Sequence, residues 1–353
     1  MILCERFLST KTMINNTITF PTNLFTYDYG KLTTTGITSD SGESDVGDIF
    51  FKASVVVIGI VGTLANGLLC VLLAQLEWKK RGSINILIFN QMSLDFFSCF
   101  WLTVTYCVKL RNIYLAGMWG YLVCQFIDSE LFIWTGLFGS VAGLVMITLE
   151  RYAKLVHPVS HKKYFRKWMT LVGVIFSWMD GFLLNVPLSW FTTDVFQGQC
   201  LAGAYWPSVL VKRSCAAFLY IWILFLPLFV FVYCYGHILV VMRKRAKVSA
   251  GNNAASDAQQ ASSLRIQMNI IKTMITIISF YAISWIPESV YVLLANMVDD
   301  FNYQNNVWYS VVFMVFLNIC VNPFIYAAQY NVLKSRIGQL VSRIQPATNE
   351  TIQ

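Results

Sequence analysis

Asn322-Pro323-Phe324-Ile325-Tyr326 closes the last long apolar run of this 353-residue chain. A polar amide followed by proline is a costly combination near the end of a membrane span. Proline removes a backbone donor, and its ring clashes with the preceding turn. Lipid cannot satisfy the carbonyl that it frees, so protein or water must do so. A span built this way marks a point where a helix bends.

The composition puts that run in a membrane. The chain is 56% hydrophobic and 12% charged, with a mean hydropathy of +0.57; soluble globular proteins are roughly a quarter charged. The apolar runs are long and continuous, which argues for helices rather than the alternating strands of a barrel. A helical crossing needs about 20 apolar residues. Seven stretches qualify: Phe50–Leu76, Ile84–Val108, Tyr121–Leu149, Trp168–Phe191, Val209–Met242, Ile266–Val298 and Val307–Gln329. The third, fifth and sixth are longer than a straight crossing requires, so they tilt or project.

The net charge of +8 matters through its placement. Lys79, Lys80 and Arg81 follow span one, and Lys162, Lys163, Arg166 and Lys167 precede span four. Arg243, Lys244, Arg245 and Lys247 follow span five, and Lys334, Arg336 and Arg343 follow span seven. With seven spans these segments share one side, which the positive-inside rule makes cytosolic. The basic excess is thus a topology signal and not a nucleic-acid surface. The N-terminus is expected outside, where Asp28, Asp40, Glu43, Asp45 and Asp48 lie and Asn15-Asn16-Thr17 offers a glycosylation acceptor at Asn15. A second triplet, Asn349-Glu350-Thr351, is inert in a cytosolic tail. Met1–Thr10 has no apolar core, so span one is expected to serve as the insertion signal.

The expected fold is an all-α membrane protein, a seven-transmembrane helix bundle followed by a short amphipathic eighth helix. Its three parts are an extracellular tail over 1–48, the seven-transmembrane domain over 49–330, and a helix with cytosolic tail over 331–353. The eighth helix rests on Asn331–Arg343, where Val332, Leu333, Ile337 and Leu340 alternate with Lys334, Arg336 and Gln339. Val248–Ser263 is low in complexity and reads as a linker, bounded by helical extensions of spans five and six. Most of the nine cysteines lie in spans, where a free thiol is a small apolar filler. Cys124 and Cys200 instead face the oxidising side, where a disulfide is permitted; the sequence leaves the pairing open.

Polar residues within the spans carry the functional signal. Asp95 costs about 2.5–3.5 kcal/mol to bury near a span centre. Asn66, Ser140, Asn318 and Asn322 are polar at comparable depth. They form either a wet pocket for a small cation or a purely structural network. Glu150-Arg151-Tyr152 ends span three, with His157 and Pro158 beyond it. An arginine held by a neighbouring carboxylate is a charge that helix motion can release. Ser284-Trp285-Ile286-Pro287 gives span six a bend point, and span five carries Pro227 with Tyr235 two turns below.

Taken in order, one set per span, these residues resemble the rhodopsin-like (class A) G-protein-coupled receptors, from about Phe50 to Arg343. The resemblance rests on Asn66, Asp95, Cys124, Glu150-Arg151-Tyr152, Trp178, Pro227 with Tyr235, Trp285-Ile286-Pro287 and Asn322-Pro323-Phe324-Ile325-Tyr326. It implies a plasma-membrane receptor, not an enzyme, that passes ligand binding to a heterotrimeric G protein as span six swings outward. Arg151 would meet the G protein, with Glu150 and Tyr152 beside it, and Tyr235 and Tyr326 would turn inward. Asn322 and Pro323 would let span seven bend, and Pro158 and its loop would touch the G protein. Asp95, Ser140, Asn318 and Asn322 would hold an allosteric sodium ion. Trp285 would couple the ligand cavity to span six beside Pro287. No cofactor is required, and the remaining partner is membrane lipid. Thr348 and Thr351 are sparse phosphosites in the tail, which leaves arrestin recruitment open.

Departures from the family accompany the match. Glu150 stands where aspartate is common, Gln267 where some members place an acid, Tyr281 where phenylalanine is usual, and Ser284 where cysteine is common. Cys124 lies about two residues further from Arg151 than the family pattern. Span three offers Leu131, Ile133 and Trp134 where amine receptors carry an aspartate, and span seven has no lysine for a retinal Schiff base.

The extracellular half is rich in aromatics and acids: Trp134, Trp206, Trp308, Tyr309, Asp194, Asp299, Asp300 and Glu288. Glu288 meets either a ligand cation, with Tyr291 nearby, or an internal partner. Lys212 and Arg213 are expected to snorkel at the interface. Tyr27-Asp28-Tyr29 adds a sulfation candidate in the acidic tail. These features favour a peptide ligand over a small amine. The alternatives are a decoy that binds without signalling, or a receptor for a small molecule. A transporter would need paired repeats with broken helices, and the three histidines His157, His161 and His237 fit no protease motif.

Overall fold

The computed structural model describes residues 41–75, 82–111, 113–164, 167–249, 257–298 and 306–344. Asn15, Tyr27–Tyr29, Lys79–Arg81, Arg166, Asp299, Asp300, Thr348 and the Asn349 triplet lie outside the described residues. Seven helices among the described residues are long and apolar enough to cross a membrane. Spans one to seven run over Val46–Ala74, Ser83–Lys109, Gly117–Val156, Lys167–Thr192, Val209–Ala246, Arg265–Met297 and Asn306–Gln329. Helical backbone suits such segments because each span satisfies its own amides and carbonyls. The helix of span one starts at Ser41, ahead of the expected boundary after residue 48.

Span three is the central post and packs against spans two, four and five, while span six lies along span seven. Close approach of spans three and four depends on a missing side chain. A Cβ on Gly181 would sit 2.1 Å from the Thr135 carbonyl oxygen. Large apolar side chains remain exposed along span one (Val57, Leu64, Val71) and span four (Leu171, Ile175, Leu183). Those ridges are the surfaces that lipid covers.

Span three is not one regular helix. Its first segment, Gly117–Val123, passes through a π-helical turn at Cys124–Asp128. Glu130 then takes a left-handed conformation at φ 60°, and the regular helix starts again at Leu131. The break lies between Cys124 and Arg151, the interval counted as about two residues longer than the family pattern. Span five contains a second π turn, Ile221–Phe225, immediately before the helix that carries Pro227.

Between spans four and five, strands β1 (Asp194–Phe196) and β2 (Gln199–Leu201) form an antiparallel hairpin with Val195 opposite Cys200. Cys200 is disulfide-bonded to Cys124, so the hairpin is tied to the top of span three. At the other end of the bundle, the helix Asn331–Ile344 follows span seven with Leu333 buried and Lys334 exposed. The helix of span six begins at Asp257, so the interhelical linker is shorter than the expected Val248–Ser263.

Replacing Gly181 by alanine forces spans three and four apart. We expect Gly181→Ala to destabilise the solubilised protein by about 1–3 kcal/mol, read as a lower unfolding temperature. Gly236→Ala, which has open space around its Cβ, should leave that temperature unchanged.

Candidate functional site

Three polar layers stack along the bundle axis. The middle one surrounds Asp95, which is fully buried. Gln91 and Asp95 are four residues apart on span two and therefore share a face. Asp95 Oδ1 accepts a hydrogen bond from Ser140 Oγ at 2.7 Å, and Asp95 Oδ2 accepts one from Asn322 Nδ2 at 2.9 Å. Gln91 donates to Ser140 and reaches Asp95 at 3.5 Å. Spans two, three and seven thus meet on one carboxylate. Asn318 is buried as well, but it makes no hydrogen bond to Asp95.

The prolines that shape spans five and seven are matched by side chains from neighbouring helices. Pro323 cannot donate to the carbonyl one turn back, that of Ile319. Asn66 of span one donates to this oxygen at 3.2 Å, and to its own Gly62 carbonyl at 3.0 Å. Pro227 likewise frees the Ile223 carbonyl, which accepts from the Tyr281 hydroxyl of span six. Tyrosine in place of the usual phenylalanine therefore has a structural reason.

The layer at the basic side contains Glu150 and Arg151, both buried. Arg151 Nε donates to Glu150 Oε2, and His161 Nε2 lies 3.4 Å from the other carboxylate oxygen. His161 comes from the short helix Pro158–Tyr164, which Pro158 opens. Tyr152 points elsewhere, with its hydroxyl 3.1 Å from His237 of span five. Tyr235 and Tyr326 are buried. The Tyr330 hydroxyl donates to Asn85 at 2.5 Å, joining the end of span seven to the start of span two.

The layer toward the hairpin is aromatic and acidic. Trp285 is buried, with Trp134, Phe138 and Tyr281 ring centroids at 6.5, 6.2 and 5.8 Å. Tyr291 and Trp308 pair at 5.9 Å. Glu288, one residue past Pro287, is 3% exposed and takes long contacts from Tyr220 at 3.5 Å and Ser289 at 3.4 Å. Both of these partners are internal and neutral. Arg213 does more than snorkel: its Nε donates to the Asn296 carbonyl of span six at 3.2 Å.

Several participants were not singled out from the sequence. Glu130 is the clearest. Its carboxylate accepts from Lys109 at 2.5 Å, Tyr106 at 3.0 Å and the Trp134 indole at 3.1 Å. This clamp holds the left-handed turn and connects it to Trp134 beside Trp285. Tyr106 and Lys109 are three residues apart, a spacing that places both on one helix face. Gln91 and His161 were also missed. The first had a readable signal in its spacing from Asp95, whereas the second is brought to Glu150 only by tertiary folding.

The chain matches the model for the family described as 7 transmembrane receptor (rhodopsin family) over residues 65–326. It is 23% identical to galanin receptor type 1 of Rattus norvegicus over 285 residues, which covers 78% of each chain. It is also 23% identical to neuropeptide Y receptor type 6 of Mus musculus over 298 residues, covering 76% of this chain and 74% of that receptor. Neuropeptide Y receptor type 4-2 of Homo sapiens is 22% identical over 321 residues, covering 84% and 80%.

Removing the hydroxyl that serves the Ile223 carbonyl should cost about 1–3 kcal/mol. Tyr281→Phe is therefore expected to lower the unfolding temperature, although it restores the family's commoner residue. An unchanged temperature would mean that the Ile223 carbonyl has another donor.

Proposed function

This chain belongs to the rhodopsin family of seven-transmembrane receptors, and from that premise we propose that it signals to a heterotrimeric G protein on binding an extracellular peptide. One observation carries the coupling part: the buried Glu150–Arg151 pair at the basic side. An arginine restrained by its neighbouring acid is poised to be released when span six moves outward. Tyr235, Tyr326, Asn322 and Pro323 would rearrange with it. Pro158, at the start of the helix that carries His161 to Glu150, and Tyr152 would form part of the G-protein surface.

On this reading the basic side is cytosolic, the hairpin side is extracellular, and the protein works in the plasma membrane with its N-terminus outside. Asn15 is then on the side where glycosylation occurs. The extracellular part is 1–48, the bundle 49–330, and the helix with its tail 331–353. Arrestin and membrane lipid would be further partners on the cytosolic side.

A peptide ligand is supported by the named relatives, which are receptors for galanin and neuropeptide Y. The residues facing it would be Trp134, Trp285, Pro287, Glu288, Tyr291 and Trp308. Ile133 is buried where an amine receptor would need its acid.

A sodium ion fits the middle layer. Asp95 forms no ion pair among the described residues, and the buried side-chain oxygens of Asn318, Asn322 and Gln91 have no hydrogen-bond donor there. A carboxylate with neutral oxygens suits a hard cation. Asp95, Ser140, Asn318 and Asn322 would hold the ion, which would supply positive charge that steadies the resting arrangement.

The test is nucleotide exchange by a panel of Gα subunits on membranes that carry the full chain, first without ligand and then with peptide and small-molecule libraries. Arg151→Ala should reduce exchange on the order of tenfold; undiminished exchange would refute the coupling role. Replacing N-methylglucamine by sodium should lower basal exchange in the wild type and leave Asp95→Asn unaffected. Equal sodium sensitivity in both would remove the ion from the middle layer.

A further inference from the structure

Cys99 of span two and Cys320 of span seven place their sulfur atoms 3.6 Å apart, and both residues are buried. Span one passes directly over them. A Cβ on Gly62 would lie 2.5 Å from the Cys99 sulfur and 2.7 Å from the Cys320 sulfur, so the pair occupies space that only glycine leaves. Asn66 Nδ2 approaches the Cys99 sulfur at 3.9 Å, and the Cys320 thiol donates to the Ile58 carbonyl at 3.2 Å. Cys107, by contrast, is exposed.

We propose that Cys99 and Cys320 form a redox modification site, a dithiol that peroxide converts into a disulfide joining spans two and seven. A disulfide needs sulfurs about 2.0 Å apart, so each must move by roughly 0.8 Å. Hydrogen peroxide is the oxidant, being small and uncharged enough to enter the bilayer. One thiol takes an oxygen atom to become a sulfenic acid, and water leaves. The second sulfur attacks the first and displaces its hydroxyl, which departs as water with the second thiol's proton. Two electrons pass from the sulfurs to the O–O bond, and two thiols with one peroxide give one disulfide and two waters. Contact between the sulfurs makes the second step intramolecular, so the sulfenic acid does not accumulate.

The bridge would lie one turn from Asp95 and two residues before Asn322. It clamps span seven just above its proline. The resulting loss of signalling rests on the receptor reading above; the chemistry does not.

Full-length protein in native membranes is exposed to hydrogen peroxide, quenched, unfolded in the presence of an alkylating agent, digested and analysed by mass spectrometry. A linked peptide containing Cys99 and Cys320, two hydrogens lighter than its separated parts, is expected to grow with dose. Gly62→Ala, which separates the sulfurs while retaining both, should yield several-fold less of it. If both thiols remain alkylatable while Cys107 is oxidised, the site is overturned, and that measurement needs no variant. Nucleotide exchange should fall in proportion to the linked fraction, and peroxide should not affect it in Cys320→Ser. A full cross-link without loss of exchange overturns the clamp and leaves the receptor reading intact.

Discussion

The amide of Asn66 donating to the Ile319 carbonyl, at 3.2 Å, is the contact on which the core depends. Pro323 opens that carbonyl, and in hydrocarbon an unmet backbone oxygen costs several kcal/mol. Span one meets it, and in doing so fixes its own height against span seven. Asn322, next to the proline, is then placed to reach Asp95 at 2.9 Å. Span two is drawn in, and span three follows through Ser140. A bend that would otherwise be a weakness becomes the point where four helices are aligned. Tyr281 repeats the device for Pro227, between spans six and five.

Acids within the bundle fall into two groups, and the division is physical. Glu130 and Glu150 are neutralised by cations: Lys109 for the first and Arg151 for the second. Among the described residues, Asp95, Glu288 and Asp180 accept from neutral donors, the last from Trp222 at 2.9 Å. The paired acids lie toward the two ends, where they fasten span three. At Asp95 and Glu288 an arriving positive charge would find a carboxylate that pairs with no cation among the described residues.

Much of the fold was legible in the sequence because lipid makes the constraint so simple. Each span announces itself as a continuous apolar run, and the helix after span seven as an amphipathic one. Ser140 and Asn322 were readable as polar residues at the depth of Asp95, whereas Asn318 and Asn66 at similar depth make no hydrogen bond to it among the described residues. Contacts between helices at unrelated sequence positions were not readable. Nothing near Asn66 says that it serves a carbonyl on span seven, and nothing near Tyr281 says that its hydroxyl answers a proline on span five. His161 reaches Glu150 only because the helix opened by Pro158 turns back under span three. The surplus residues after Cys124 could be counted, but not where the backbone would break.

That break changes how positions on span three map between relatives. Successive residues of an α-helix are rotated by about 100°, so two additional residues turn a side chain by roughly 200°. From Leu131 to Arg151 the helix is regular, and positions counted back from Arg151 keep their facing. Before Leu131 the left-handed Glu130 and the π turn at Cys124–Asp128 break that register. An equivalence drawn by simple counting would misplace Asp128 and its neighbours. At this end of the receptor, the disulfide at Cys124 is the usable origin, and the arginine is not.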